Sequence, residues 1–496
     1  MNALEYVVSL LQSGVGNLAA YLAAHVLLCL LPAFFIAGAL AALVPKESVI
    51  RFLGRNAPKY VSYPAAALAG SVLAVCSCTI IPLFAGIYRK GAGLGPAVTF
   101  LFFAPAANIL ALAYTGVMIG GDIALARIVL SLVFGIGIGM IMALVFRKSD
   151  VARDQETSSA FAGRGQMKPR TWALLGLLVA LLIFGTLKVS LLTNDYVTLT
   201  LPVSGMDGFQ DMLYQLAPFD ASKGEEGVTA QGTLLIALLL LIGLTAWHGL
   251  GRVSEGYNRR TGLSLGLIAL TLIVAATRMA PHAGGLDVFL TGKTFGVALA
   301  LVGLWVLARR YFPAHEVQEW LWETWRFVRQ IFPLLVAGVF AVGVIRQLLR
   351  PEWIRSIAGQ NTVLGNLAGV VFGVFMYFPT LVEVPIAKMF LGLGMHRGPL
   401  IAYLMADPEL SLQSILITAS IIGRTKAWTY VGWVALFSTL SGLAYGAWVD
   451  GMSGWILASL LAAFIGALAL TLRLIARHQA GKIRPVDAQA IGAPSK

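Results

Sequence analysis

Apolar runs of about 20 residues, the length that crosses a bilayer, recur along the chain between short polar interruptions. The pattern predicts spans near 18–44, 60–88, 94–118 and 122–146, the first preceded by an interfacial helix. A polar stretch at 147–170, with Arg147, Lys148, Arg153, Arg164, Lys168 and Arg170, reads as a basic cytoplasmic linker. Four more spans follow near 171–192, 232–248, 262–280 and 294–309. The loop at 193–231 is rich in carboxylates (Asp195, Asp207, Asp211, Asp220, Glu225, Glu226) and is expected outside. At 315–329, Trp320, Trp322 and Trp325 alternate with charged residues, as at a headgroup boundary. Spans near 330–347, 362–391, 396–420, 426–447 and 453–474 close the pattern. The expected units are a first membrane repeat (1–146), the linker (147–170), a four-span insert (171–329), a second repeat (330–474) and a polar tail (475–496).

Composition agrees with the pattern. The chain has 496 residues, 58% hydrophobic and 12% charged, where a soluble protein carries about a quarter charged residues. We read an all-α polytopic membrane protein with about 12–13 spanning or re-entrant helices. The net charge of +13 sits mainly in loops, where Lys and Arg set membrane orientation, so no nucleic-acid partner is expected. Cys29, Cys76 and Cys78 all lie in apolar segments, which excludes an extracellular disulfide framework. The first residues, Met1 to Tyr6, lack a basic signal n-region, and no cleavage is expected. Without a Walker loop, a zincin motif or a dinucleotide fingerprint in a suitable context, the chain reads as a transporter rather than an enzyme, with no cofactor.

One segment matches another. Residues 81–110 align without a gap on residues 384–413 at an offset of 303, pairing Pro82 with Pro385, Gly91 with Gly394, Gly95-Pro96 with Gly398-Pro399 and Pro105 with Pro408. Gly70 meets Gly373 at the same offset. Two structural repeats follow, with helices broken at proline. In lipid, the carbonyls freed at a proline must face protein or a hydrated cavity, so paired breaks mark a route for a polar solute. Counting four spans in the insert makes the repeats parallel but leaves the basic tail outside. A re-entrant segment counted as a span would invert one half, and the sequence alone leaves both arrangements open.

The candidate chemistry lies at these breaks. Cys76-Ser77-Cys78 precedes Pro82, and thiolates are soft ligands for soft metals and metalloids such as trivalent arsenic. Cys29 is a possible third sulfur. Glu383, bracketed by Pro379 and Pro385, is an intramembrane carboxylate, and such groups by default carry protons or ions; the alternative is a structural pair with Lys388. Asp407 flanks Pro408 and is a second coupling candidate, with Glu409 on the other side. Asn108 and Ser411 occupy matching positions and are candidate polar contacts for substrate.

These residues carry a resemblance. Cys76-Ser77-Cys78 with Pro82, the Gly91 to Pro96 stretch, Ala104 to Asn108, and in the second half Phe378 to Pro385, Gly398-Pro399 and Asp407 to Ser411 resemble the predicted-permease family that includes YraQ and the organoarsenical exporter ArsP. The resemblance implies a bacterial inner-membrane permease and, carried onto Cys76 and Cys78, efflux of a trivalent organoarsenical. One difference is Ala74-Val75 ahead of the first cysteine, where the arsenical exporters carry Pro-Phe. The expected partners are the lipid bilayer, a small thiophilic or anionic solute or metalloid, and protons. The competing readings are a sulfur-species transporter and a membrane thiol–disulfide oxidoreductase; the one-residue spacing of the cysteines disfavours the second.

Overall fold

The apolar runs fold into helices that range from 8 to 35 residues. The computed structural model describes residues 3–23, 26–55, 57–72, 77–107, 109–147, 149–150, 167–187, 189–203, 205–216, 227–282, 285–348, 351–375 and 380–481. Its first part contains α1 (Ala3–Ala23), α2 (Val26–Leu43), the short α3 (Lys46–Leu53), α4 (Lys59–Val72), α5 (Ser77–Arg89), α6 (Leu94–Ala106), α7 (Ile109–Met118) and α8 (Gly121–Val145). A middle part contains α9 (Pro169–Thr186), β1 (Asp195–Leu201), α10 (Met206–Leu216), α11 (Ala230–His248), α12 (Arg259–Ala276), β2 (Arg278–His282), β3 (Gly285–Thr291) and α13 (Gly292–Tyr311). The last part contains α14 (Ala314–Leu348), α15 (Pro351–Ala358), α16 (Val363–Phe375), α17 (Thr380–Gly392), α18 (Arg397–Ala406), α19 (Leu412–Ile422), α20 (Arg424–Val449) and α21 (Gly454–Gly481). Among the described residues, eight helical segments are long and apolar enough to cross a membrane. The protein is a multi-pass helical membrane protein.

The segment expected to span at 60–88 does not run straight across. Its two helices have 14 and 13 residues, about 21 and 20 Å of helix, short of a core of about 30 Å. At its start, α4 lies beside the start of α6: a Cβ on Gly95 would clash with the Tyr63 hydroxyl. At its end α4 lies beside the end of α6, where a Cβ on Gly70 would sit 3.0 Å from the Ala104 nitrogen. Helices α4 and α6 therefore run the same way. Only four residues separate the end of α5 from the start of α6, so α5 returns to the starting side, and the pair is a re-entrant hairpin. Gly91, at φ 94°, makes the tight reversal into α6.

A second hairpin, α16–α17, has the same form. A Cβ on Gly398 would meet Asn361 at the shared start, and one on Gly373 would sit 2.8 Å from the Asp407 nitrogen at the far end of α18. Gly394, at φ 93°, reverses the chain into α18. The two hairpins enter from opposite ends of α8. At the end of α8, Leu94 N at the start of α6 donates to the Asp150 carboxylate at 3.3 Å. At the start of α8, Asp122 pairs with Arg397, the first residue of α18, at 2.9 Å. A helix of 25 residues, about 37 Å, separates these contacts. Aligned at 303, α5 and α17 begin and end together, as 77 with 380 and 89 with 392. The left-handed Gly120 and Gly423 stand at the same offset.

The middle part differs from the expected picture in two places. The segment expected to be an external loop contributes β1, and the run expected to span to 280 ends at Ala276 and continues as β2. With β3 these strands form an antiparallel sheet in the order β1-β3-β2, pairing Thr198 with Phe289 and Ala280 with Asp287. Alternation of β-branched and apolar residues in Tyr196-Val197-Thr198-Leu199-Thr200-Leu201 is the local reason. Helices α9, α11, α12 and α13 pack in a second apolar core against α2 and the start of α14. The tryptophan segment is part of α14, one helix of 35 residues. Trp320 and Trp325 are buried in the bundle, where boundary residues were expected, and the Trp320 indole donates to the Phe35 carbonyl at 2.8 Å.

Candidate functional site

Helix α8 carries an arginine into the interior. Arg127 is fully buried, and its Nη2 lies 2.9 Å from Glu383 Oε1 and 3.3 Å from Oε2. Its Nε donates to the Ala106 carbonyl at 2.7 Å, and its Nη1 to Thr115 Oγ1 at 3.4 Å. Thr115 in turn donates to the Ala111 carbonyl at 2.7 Å. Helix α6 ends at Ala106, so that carbonyl has no partner further along its own helix and is available to a side chain. Glu383 is the fourth residue of α17 and is fully buried. The charge pair thus joins α8 to the second hairpin. Lys388, the alternative partner weighed from sequence, is exposed on α17; Arg127 takes that place. A buried pair of this kind is costly to break from one side, so each residue holds the other in position.

A second buried carboxylate stands nearby. Glu409 follows the end of α18, and its Oε2 accepts a 2.7 Å hydrogen bond from the Tyr430 hydroxyl on α20. Its Oε1 is buried and, among the described residues, has no hydrogen-bond partner. Glu383 and Glu409 lie within electrostatic range of each other. Arg127 and Tyr430 are 303 residues apart, as are Ala106 and Glu409. Arg127 reaches the Ala106 carbonyl where Tyr430 reaches the Glu409 side chain. The first contact crosses between α8 and α6, the second between α20 and the end of α18.

The other residues singled out from sequence fall around these groups. Asp407 is buried at the C-cap of α18, its N–H donating to the Tyr403 carbonyl at 2.8 Å. Pro408 is buried beside it. Ser411 caps α19, accepting from Ser414 N at 3.2 Å and donating to Ser414 Oγ at 2.6 Å. Pro82 and Pro385 are each the sixth residue of their helices, which run on through them. The bond each proline removes is the one to the second residue of its helix. Pro105 lies one residue before the end of α6. Cys76 and Asn108 lie outside the described residues, as do the side chains of Cys29, Ser77 and Cys78. The backbone of Ser77 and Cys78 opens α5. Among the described residues, no group of three or more His, Cys, Asp or Glu is placed to hold a metal ion.

Sequence reasoning missed Arg127, Tyr430 and Asp122. The signal for Arg127 was available: a lone cation inside a span is as costly as the lone carboxylate that drew notice at Glu383. Asp122 accepts from both Arg397 at 2.9 Å and the Tyr445 hydroxyl at 2.7 Å, tying the two halves together at the sheet end of the bundle.

A many-helix membrane bundle that buries an ion pair and a further carboxylate among its helices has the features of a solute carrier. Residues 13–447 match the ArsP-type model described as a predicted permease, and the chain belongs to that permease family. It is 32% identical to a UPF0718 protein of Methanocaldococcus jannaschii over 448 residues, covering 90% of this chain and 98% of the relative. It is also 26% identical over 124 residues to the UPF0718 protein YraQ of Escherichia coli, covering 25% of this chain and 35% of that protein. No solved structure gives a significant match.

Proposed function

We propose that the chain is a secondary-active permease of a bacterial inner membrane, built from two repeats of inverted topology and coupled to protons through Glu383 and Glu409. Support for the repeats comes from the offset of 303 shared by helix bounds, left-handed glycines and close glycine contacts. Hairpins entering from opposite ends of α8 favour inversion over the parallel arrangement. Inverted repeats with discontinuous helices are a common transporter plan, with the site where the repeats meet. Inversion also returns α21 and the basic tail to the same end as the linker, so the positive-inside rule is met by making that end cytoplasmic.

The observation that carries the proposal is the buried Arg127–Glu383 pair, which spans the two repeats. With Glu383 ionised, the pair clamps α8 to the second hairpin. A proton on Glu383 removes the charge that holds Arg127 and frees the hairpin to move. Glu409, in range of Glu383 and hydrogen-bonded to Tyr430, offers that proton a second seat toward the other side. The bound solute is a small thiophilic or anionic compound such as a trivalent organoarsenical, met by Cys76 and Cys78 and moved outward.

Everted vesicles energised by a proton gradient are expected to accumulate a trivalent methyl or aryl arsenical. Glu383→Gln is expected to abolish gradient-driven accumulation, and the Cys76→Ser, Cys78→Ser double variant to abolish recognition of the arsenical. Full gradient-driven uptake by Glu383→Gln would remove the proton role; unchanged arsenical uptake by the double variant would remove the thiol role.

A further inference from the structure

We propose that a cleft at the linker end of the bundle binds a phosphate-bearing anion, with the headgroup of an acidic phospholipid as the favoured source. The cleft has a volume of about 640 Å³ and lies where α21 passes the end of α8 and the start of the first hairpin. Four cations line it, Arg55, Lys59, Arg147 and Arg473, with a single carboxylate, Asp150. Asp150 is buried and already accepts from Leu94 N. Among the described residues none of the four cations has an ion-pair partner, although each stands in or beside a shared concavity. Four like charges converging on one cleft repel one another unless an anion sits between them.

The rest of the lining points to lipid. Below the cations the wall is apolar, formed by Met140 and Leu144 of α8, Pro96 of α6 and Ala469 of α21. Helix α21 itself is hardly covered by protein: Trp455 is 87% exposed, Leu460 55% and Leu470 58%. On an apolar helix of spanning length, such exposure means contact with acyl chains. A cationic rim over an apolar wall, opening beside a lipid-facing helix, matches a headgroup above its chains. Basic pockets between membrane helices recognise anionic headgroups in this way.

The test uses the full-length protein. Phosphatidylglycerol, phosphatidylethanolamine and inorganic phosphate are offered separately, and binding is read by native mass spectrometry and by the shift in melting temperature. Phosphatidylglycerol is expected to bind with preference over phosphatidylethanolamine. Arg147→Gln or Arg473→Gln is each expected to weaken it about fivefold, and the two together about 25-fold. The control pair Arg309→Gln and Arg310→Gln, exposed cations on α13 outside the cleft, is expected to bind normally. Arg147→Lys retains the charge and is expected to restore most of the affinity, so a merely misfolded variant is distinguishable. Saturable binding of inorganic phosphate that is lost in the double variant, without lipid preference, would assign the same cations to a soluble anion. Equal retention of both lipids together with no phosphate binding, or equal loss in the control pair, overturns the proposal.

Discussion

Arg127 and Glu383 are 256 residues apart in sequence and 2.9 Å apart in space, both fully buried. Removing one partner of such a pair leaves an uncompensated interior charge. Arg127→Met is expected to destabilise the fold by about 3–5 kcal/mol, read as a lower melting temperature in detergent. Adding Glu383→Met is expected to restore most of that stability, since apolar replacement of a whole buried pair is often neutral. Transport is expected to stay absent in the double variant. Recovery of stability with normal proton-driven flux would make the pair a structural clamp alone.

Tyr430 donates the hydrogen bond that Glu409 accepts. Tyr430→Phe keeps the ring and deletes the donor, leaving Glu409 Oε2 buried without its hydrogen bond. A loss of about 1–3 kcal/mol is expected, with slower gradient-driven flux and unchanged solute exchange in the absence of a gradient. Comparing the two fluxes in the same vesicles checks it.

The hairpins begin at opposite ends of α8. In a background lacking Cys29, Cys76 and Cys78, Lys59→Cys and Gln360→Cys place single thiols on exposed positions beside the starts of α4 and α16. A membrane-impermeant maleimide is expected to label Gln360→Cys from outside intact cells and Lys59→Cys only in everted vesicles. Labelling of both from one side would contradict the inverted arrangement.

Gly91 and Gly394 turn each hairpin into the next helix at φ 94° and 93°. An alanine at either is expected to cost about 1–2 kcal/mol, the penalty for a Cβ in left-handed backbone. Gly137, in the middle of α8 with nothing within 4 Å of an added Cβ, is the control: alanine there is expected to stabilise by up to about 1 kcal/mol. Melting curves of the three variants separate turn geometry from a general effect of filling glycines.

Much of this was legible in the sequence because membrane helices announce themselves by length and hydropathy. The gapless match of Pro82 with Pro385 and Gly91 with Gly394 falls on α5 and its end and on α17 and its end, helices whose bounds share the same offset. Orientation was not legible: a 30-residue apolar run with a proline has the same hydropathy whether it crosses or turns back, and only the contacts of Gly95 and Gly398 reveal which. Glu383 drew attention because it is flanked by prolines. Arg127, in an unbroken helix, was marked only by its charge at membrane depth, and its partner lies too far along the chain for any local pattern to pair them. The strands were hidden for a different reason, since Thr and Leu alternating at a membrane edge resemble the frayed end of a span. For the candidate thiols, the sequence remains the source of the assignment.

The separation of Arg127 from Glu383 also has a history. Translation at about 5–20 residues per second delivers the carboxylate on the order of 10–50 s after the guanidinium. For that interval the newborn first half carries a cation without its mate, and the Ala106 carbonyl and Thr115 hydroxyl are the companions it can find locally. Seating of the second hairpin then neutralises a charge left waiting in the first half, so the late-made part of the chain settles the electrostatics of the early one.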